Sequence, residues 1–414
     1  MNNQLKNNFF LPSNRYNLSK LPDSIISILT PDASKNRLCY SYFNNSYDKV
    51  VLFLIDGLGK NYLHEFKGFN SFLGTIDKIG ADYFLTCQFP STTAGNVTTI
   101  HTGLPVAKHG VYEWFYYEPL VGEIIASILF SYAGDERRET LQNKVNPNDM
   151  YPTKTIYQKL NLHGVKSFVF QDKKLVNTNY SNTLLKGARI NGYGTLSNGL
   201  KTLAECVNNE NGKAYYLFYY SSIDSAAHEH GPGSKKSNKE VMKLLKAFEK
   251  LKTMLNESDE NVLFILTSDH GQISLDKEKN IYLNLEFPEI EKYIKKSKDG
   301  NLLVPAGSPR DMFLYIEDNM LDEALNFLQN KLYKKAGVFK TSYLIENGYF
   351  GTKKVSGRLE SRLGNLVILP LENWTVWWYE KDIFEVTTSG HHGGLSADEM
   401  EIPLLVWEYK DWVK

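Results

Sequence analysis

Lys49–Gly59 reads KVVLFLIDGLG. Its first seven residues form an apolar run rich in β-branched side chains, which predicts a strand buried on both faces of a parallel sheet. The run stops at Asp56-Gly57, a common turn pair. Comparable runs recur at Ser167–Phe170, Ala214–Tyr220, Val262–Thr267 and Ile402–Trp407, the last read as the final strand. Helical patterns lie between them. Over Lys239–Leu255, apolar residues fall at Val241, Leu244, Leu245, Phe248, Leu251 and Leu255, and the lysines form a solvated face. Strands alternating with helices predict an α/β fold whose parallel sheet is covered on both sides.

The first 45 or so residues read as an N-terminal arm (1–45) with a short helix around Asp23–Leu29. From 281 to 378 the pattern changes. A strand over Asp311–Ile316, a helix over Leu321–Lys334 and strand-like runs near Leu344 and Leu366–Leu369 predict a small inserted α+β subdomain. Residues 46–280 and 379–414 are left as the core.

The chain has 414 residues, with 47 Lys plus Arg balanced by 47 Asp plus Glu. Zero formal charge supplies no global reason to bind duplex nucleic acid or an anionic membrane. No apolar stretch is long enough to span a bilayer, and no secretory signal is present, so a soluble cytoplasmic protein is expected. Cys39, Cys87 and Cys206 have neither disulfide nor zinc-knot spacing. They read as buried or half-buried thiols in a reducing compartment.

Five segments place metal-type ligands at strand ends or helix starts. Asp56 follows the first strand. In Phe89–Gly103, FPSTTAGNVTTIHTG, a helix starting near Asn96 puts Thr93 close to a helix N-terminus, where backbone N–H groups favour an alkoxide and a phosphate. The alternative is a plain Ser/Thr capping segment. Asp224 and His228 share one face if their segment is helical, while His230, two residues on, points elsewhere. Asp269 and His270 follow another strand, and Gly271 permits the turn that lets both reach a metal. His391 and His392 precede the last strand. Open α/β sheets bind ligands beyond the carboxyl ends of their strands, so these distant segments are expected to converge there.

The order of Asp56, Pro90-Ser91-x-Thr93-x-x-Asn96, Asp224-x-x-x-His228, Asp269-His270-Gly271 and His392-Gly393 resembles the alkaline phosphatase superfamily. The nearest branch is the type I nucleotide pyrophosphatase/phosphodiesterases. The resemblance implies a three-layer sandwich with a mostly parallel central sheet and an inserted α+β cap. It also implies a hydrolase with two zinc ions, the sites being of a kind that manganese or iron also occupies. One ion would lie on Asp56, Asp269, His270 and the hydroxyl of Thr93, the other on Asp224, His228 and His392. Thr93 would attack a small-molecule phosphodiester or nucleotide and pass through a phospho-threonine. Asn96 would hold a phosphoryl oxygen, and Tyr219 matches a base-stacking tyrosine. His230 and His391 match no family role.

Ala94 and Gly95 depart from the family, which commonly has an aromatic residue after its nucleophile. Thr92 stands where relatives are often basic or apolar. Tyr112–Tyr117, YEWFYY, is an alternative stacking surface or simply core packing. Phosphomonoester or phosphonoacetate-type phosphonate hydrolysis is the competing activity, and a non-catalytic metal-binding protein the competing class. No Cys-x-Pro-x-Arg or Ser-x-Pro-x-Arg occurs at the nucleophile, which argues against a sulfatase. The final motifs match hydrolases better than phosphomutases.

Overall fold

Val50, Leu52 and Leu54 face one hydrophobic core, and Val51, Phe53 and Ile55 face another. Side chains alternate along a strand, so a strand apolar at every position requires a cover on both faces. The computed structural model describes residues 9–31, 37–135, 137–256 and 261–413. Residues 1–8 and 32–36 of the expected N-terminal arm lie outside the described residues.

The central sheet has seven strands: β1 (Lys49–Ile55), β2 (Ala81–Thr86), β3 (Lys166–Asp172), β4 (Arg189–Tyr193), β5 (Ala214–Tyr220), β6 (Val262–Thr267) and β7 (Glu401–Glu408). Their spatial order is β2–β7–β6–β1–β5–β3–β4. β1 pairs in parallel with β5 and β6, and β3 with β4 and β5, while β7 runs antiparallel to β6 and β2. The expected mostly parallel α/β sandwich is what the chain forms. β2 and β4 escaped the sequence reading because they are edge strands with several partly exposed positions, and so lack a continuous apolar run.

The helices include α1 (Leu21–Leu29), α2 (Thr93–Thr102), α3 (Leu196–Asn209), α4 (Ser222–His230), α5 (Lys235–Met254) and α6 (Leu321–Lys331), of which α2 and α4 reach the site. α1 and α2 pack on the first core, α3 and α5 on the second. α5 starts four residues earlier than expected because the side chain of Ser234 accepts from the N–H of Ser237 and caps it.

Between 281 and 378 a third core forms around an antiparallel sheet of Met312–Leu314, Leu366–Pro370 and Ala336–Lys340, backed by α6. Asn280–Tyr282 and Thr375–Trp377 pair in parallel where the chain leaves and rejoins the main body. The strand expected near Leu344 is instead a short helix, Thr341–Glu346, because a short apolar run does not by itself distinguish the two states. Cys39 is exposed rather than buried; Cys87 is buried and Cys206 half-buried, and none is paired.

Candidate active site

β6, β1 and β5 are neighbours in the sheet, so the residues after their carboxyl ends lie side by side. Asp56 follows β1, Asp269 and His270 follow β6, and Asp224 stands in the first turn of α4, just beyond β5. Gly57 makes the turn after Asp56 with a φ of +71°, and a Cβ there would sit 2.9 Å from the Cα of Asp224. Only glycine allows this approach of two strand ends. Gly271 acts differently from the expected turn. Its φ is not positive, but a Cβ would lie 1.9 Å from the carbonyl oxygen of Asp398.

Thr93 is the first residue of α2. Thr92 caps that helix by accepting from the N–H of Gly95, and Gly103, at φ +70°, ends it. The Thr93 Oγ1 lies 3.0 Å from His270 Nε2 and donates to Asp56 Oδ1 at 3.4 Å. His270 Nε2 is in turn 3.4 Å from Asp56 Oδ1 and 3.5 Å from Asp269 Oδ2. On α4, His228 Nε2 lies 3.4 Å from Asp224 Oδ1, and His392 Nε2 reaches the same oxygen at 3.8 Å. The His270 and His392 rings stack at 3.7 Å, which joins the two halves.

These donors fit divalent metal ions. Ligand atoms of Asp56, Asp269 and His270 lie within 4.8 Å of one another, as do those of Asp224, His270 and His392. Each histidine anchors Nδ1 on a backbone carbonyl: His228 on Gly390 at 2.9 Å, His270 on Gly271 at 3.0 Å, His392 on Ser91 at 2.9 Å. A ring that donates through Nδ1 turns a bare Nε2 inward, the arrangement of metal-ligating histidines. Asp269 Oδ2 is buried without a hydrogen-bond partner. Burial, reinforced by the carboxylates of Asp269 and Asp224, pushes Asp56 well above the usual carboxylate range. Burial, then His270, pushes His392 well below the usual imidazole range. Clustered buried carboxylates with no basic side chain among them are short of a cation.

The model of the type I phosphodiesterase/nucleotide pyrophosphatase family matches residues 50–395. The chain belongs to that family. No curated protein matches the sequence. Among solved structures, human ectonucleotide pyrophosphatase/phosphodiesterase 5 is similar at 18% identity and a TM-score of 0.64, over 86% of this chain and 87% of that one. An inactive threonine-to-alanine variant of the murine protein, in complex with AMP, is similar at 17% identity and a TM-score of 0.62, over 86% and 87%. Phosphonoacetate hydrolase from Sinorhizobium meliloti 1021, in complex with phosphonoacetate, is similar at 19% identity and a TM-score of 0.62, over 87% and 90%. The superfamily read from the motif order is thereby shown. The family's chemistry is phosphoester hydrolysis.

In this family member the seven metal-type residues, Asp56, Thr93, Asp224, His228, Asp269, His270 and His392, converge. Asn96 does not face the cleft. It is fully buried, its Oδ1 accepts from the N–H of Gln88 at 2.9 Å, and its Nδ2 donates to the carbonyls of Thr92 at 3.0 Å and Pro90 at 3.4 Å. Its amide is used up in shaping the turn into α2, which corrects the expected phosphoryl contact. The Tyr219 hydroxyl donates to Asp56 Oδ2, so this tyrosine braces that carboxylate as well as lining the cleft. His230 lies 3.2 Å from Glu229 and lines only the outer part of the cleft, away from the Asp56 and Asp224 clusters. His391 lines the cleft with its ring 5.0 Å from that of His228. Of YEWFYY, Tyr112 and Tyr116 are core, whereas Trp114 and Phe115 line the cleft.

The cleft has three contiguous parts. A cavity of about 320 Å³ adjoins Ala94, His228 and His392. It shares Thr93, Trp114 and Asp224 with a second, of about 240 Å³, beside Asp56 and Tyr219. Arg138 and Ser221 continue the second into an outer pocket of about 730 Å³, where Lys174, Lys239 and Lys243 lie. Sequence reasoning missed Gln272, whose Nε2 donates to Asp224 Oδ1, and the buried pair Arg310–Glu399. Neither carries a motif, and both act by contact across distant segments.

Proposed function

We propose that this chain is a metal-dependent phosphodiesterase or nucleotide pyrophosphatase in which Thr93 is the nucleophile. The observation that carries the reading is the position of the Thr93 hydroxyl, 3.0 Å from His270 and 3.4 Å from Asp56, at the junction of two carboxylate–imidazole clusters. Asp56, Asp269 and His270, with Thr93, would hold one zinc ion; Asp224, His228 and His392 would hold the other. Bound divalent ions would supply a lowered hydroxyl pKa and counter-charge for the phosphoryl oxygens and leaving group. Thr93 Oγ1 attacks phosphorus, the bond to the departing oxygen breaks, and water then cleaves the phospho-threonine. The start of α2 turns backbone N–H groups toward the incoming phosphoryl group. Tyr219 and Gln272 hold Asp56 and Asp224 in place through their hydrogen bonds. Residues 281–378 serve as a cap, a role supported by Gly307, Pro309 and Trp377 in the cleft wall. The unpaired cysteines support a cytoplasmic setting, and no described helix is long and apolar enough to cross a membrane.

Thr93→Ala, loaded with zinc, is expected to lose at least about 10³-fold in kcat on bis(4-nitrophenyl) phosphate while keeping its metal content. Full activity in that variant would sink the assignment. The second reading, hydrolysis of a phosphonate such as phosphonoacetate, rests on the fold likeness to that hydrolase. Release of phosphate from phosphonoacetate, without turnover of diesters, would establish it.

A further inference from the structure

The cavity beside Asp56 and Tyr219 opens into the outer pocket of about 730 Å³ past Arg138, Leu175, Ser221 and Ser225, which line both. Cationic side chains reach that pocket from three separate segments. Arg138 comes from the loop after Tyr132, Lys174 from the turn after β3, and Lys236, Lys239 and Lys243 from the first half of α5. The spacing of those three lysines sets them on one face of the helix. Carboxylates share the pocket, but each has a local partner. Asp172 accepts from the N–H of Lys174 at 2.8 Å, and Glu229 lies 3.2 Å from His230. Glu240 accepts from Lys243 and from the Tyr220 hydroxyl, both at 3.0 Å. Arg138, Lys174, Lys236 and Lys239 form no ion pair among the described residues. Like charges gathered in one concavity repel one another, and an anion placed among them relieves that repulsion. α4 stands between this pocket and the metal-type centre. Asp224 and His228 share one face of it, and Ser222, Ala226 and Glu229, on the opposite face, line the outer pocket. A helix with its side chains is about 10 Å across, so the two places are roughly that far apart.

We propose that the outer pocket binds a second anionic group of the substrate, carried on an arm long enough to reach it from Thr93 past Arg138. The inference rests on the phosphodiesterase reading and narrows its substrate class to elongated phosphodiesters with a remote phosphate, sulfate or carboxylate. A pyrophosphate arm does not meet this requirement, because its second phosphate stays beside the first. Arg138, at the junction of the two cavities, offers a planar fork of donors, and the lysines offer point charges on flexible stems. Each ionic hydrogen bond made in an open pocket contributes little by itself. Recognition therefore comes from several cations acting on one group, and it weakens as salt screens them. The pocket selects by distance as well as by charge, since only an arm that spans the width of α4 brings its anion there.

The test uses zinc-loaded full-length protein and two pairs of phosphonates, octylphosphonate with 8-sulfooctylphosphonate and ethylphosphonate with 2-sulfoethylphosphonate. Affinities are read by calorimetry, and again as inhibition of bis(4-nitrophenyl) phosphate turnover. The terminal sulfonate is expected to tighten binding about tenfold in the long pair at low salt and to add nothing in the short pair. Raising sodium chloride to 0.5 M should remove most of that gain, by about fivefold. The double variant Lys236→Ala/Lys239→Ala, and separately Arg138→Ala, should each shrink the long-pair ratio about threefold or more. Lys250→Ala, on the same helix but outside the pocket, should keep it. Equal affinities within the long pair overturn the proposal, as does an undiminished ratio in the double variant. A gain as large in the short pair would place the second anion at the metal-type centre and overturns it too. If no diester turns over, the hydrolase reading fails, and the calorimetric ratio still decides whether the pocket takes a remote anion.

Discussion

Each of the three inward-facing histidines is held by its outer nitrogen. His228, His270 and His392 bond Gly390, Gly271 and Ser91 through Nδ1, which leaves Nε2 for the centre of the site. The metal-type residues that converge were legible in the sequence, because their residue types recur at strand ends in a specific order. The groups that orient them were not, because a backbone carbonyl has no sequence signature and Gln272 belongs to no motif. Gln272→Ala removes the donor to Asp224 Oδ1. It is expected to weaken metal binding at the Asp224 site by about 10- to 100-fold, measured by competition with a chromogenic chelator. Asn96 shows the opposite error. Its residue type suited a phosphoryl contact, yet its amide satisfies Gln88, Thr92 and Pro90. Asn96→Ala strands those buried backbone groups and should cost about 2 kcal/mol or more in urea unfolding. A variant as stable as wild type with a raised KM would restore the phosphoryl role.

At the scale of elements, β1 and its turn organise the centre. The apolar run of β1 was readable because both its faces are buried, whereas β2 and β4, partly exposed on both faces at the sheet edges, left only a diluted pattern. The turn after β1 depends on Gly57. Alanine there would be strained at φ +71° and would press on Asp224. Gly57→Ala is therefore expected to lower stability by roughly 1–3 kcal/mol, a strained φ being one of the recognised large-effect mechanisms. It should also reduce zinc stoichiometry, by moving α4 away from β1. An unchanged melting temperature and full metal content would contradict the close packing of these two elements. The helix over Thr341–Glu346 was read as a strand, since six residues carry too little periodicity to choose between the two.

Across the whole molecule, one buried ion pair joins the 281–378 region to the loop carrying His392. Arg310 Nε donates to Glu399 Oε1 at 3.0 Å and Nη2 to Oε2 at 3.1 Å, and Glu399 also accepts from the N–H of Gly394 at 3.0 Å. Burial alone would raise Glu399, but Arg310 and the hydrogen bonds outweigh it and hold the carboxyl below its ordinary range. A depressed folded-state pKa contributes stability above the unfolded value, about 4.3, and that contribution is lost as pH falls through the folded value. Arg310→Met leaves a buried carboxylate unpaired and should cost about 3–5 kcal/mol at pH 7. Urea unfolding at pH 7 and pH 4 measures it, and the loss should shrink at the lower pH as Glu399 takes up a proton. An equal loss at both would show that the charge is not what matters. The sequence by itself determined the α/β class, the hydrolase family and the metal-type residues, because those properties reside in local periodicity and in the order of short motifs. Tertiary structure alone decided that Asn96 supports the turn and that Trp114, Phe115 and Trp377 wall one cavity beside Thr93. Those depend on which distant segments meet, and no local pattern encodes that meeting.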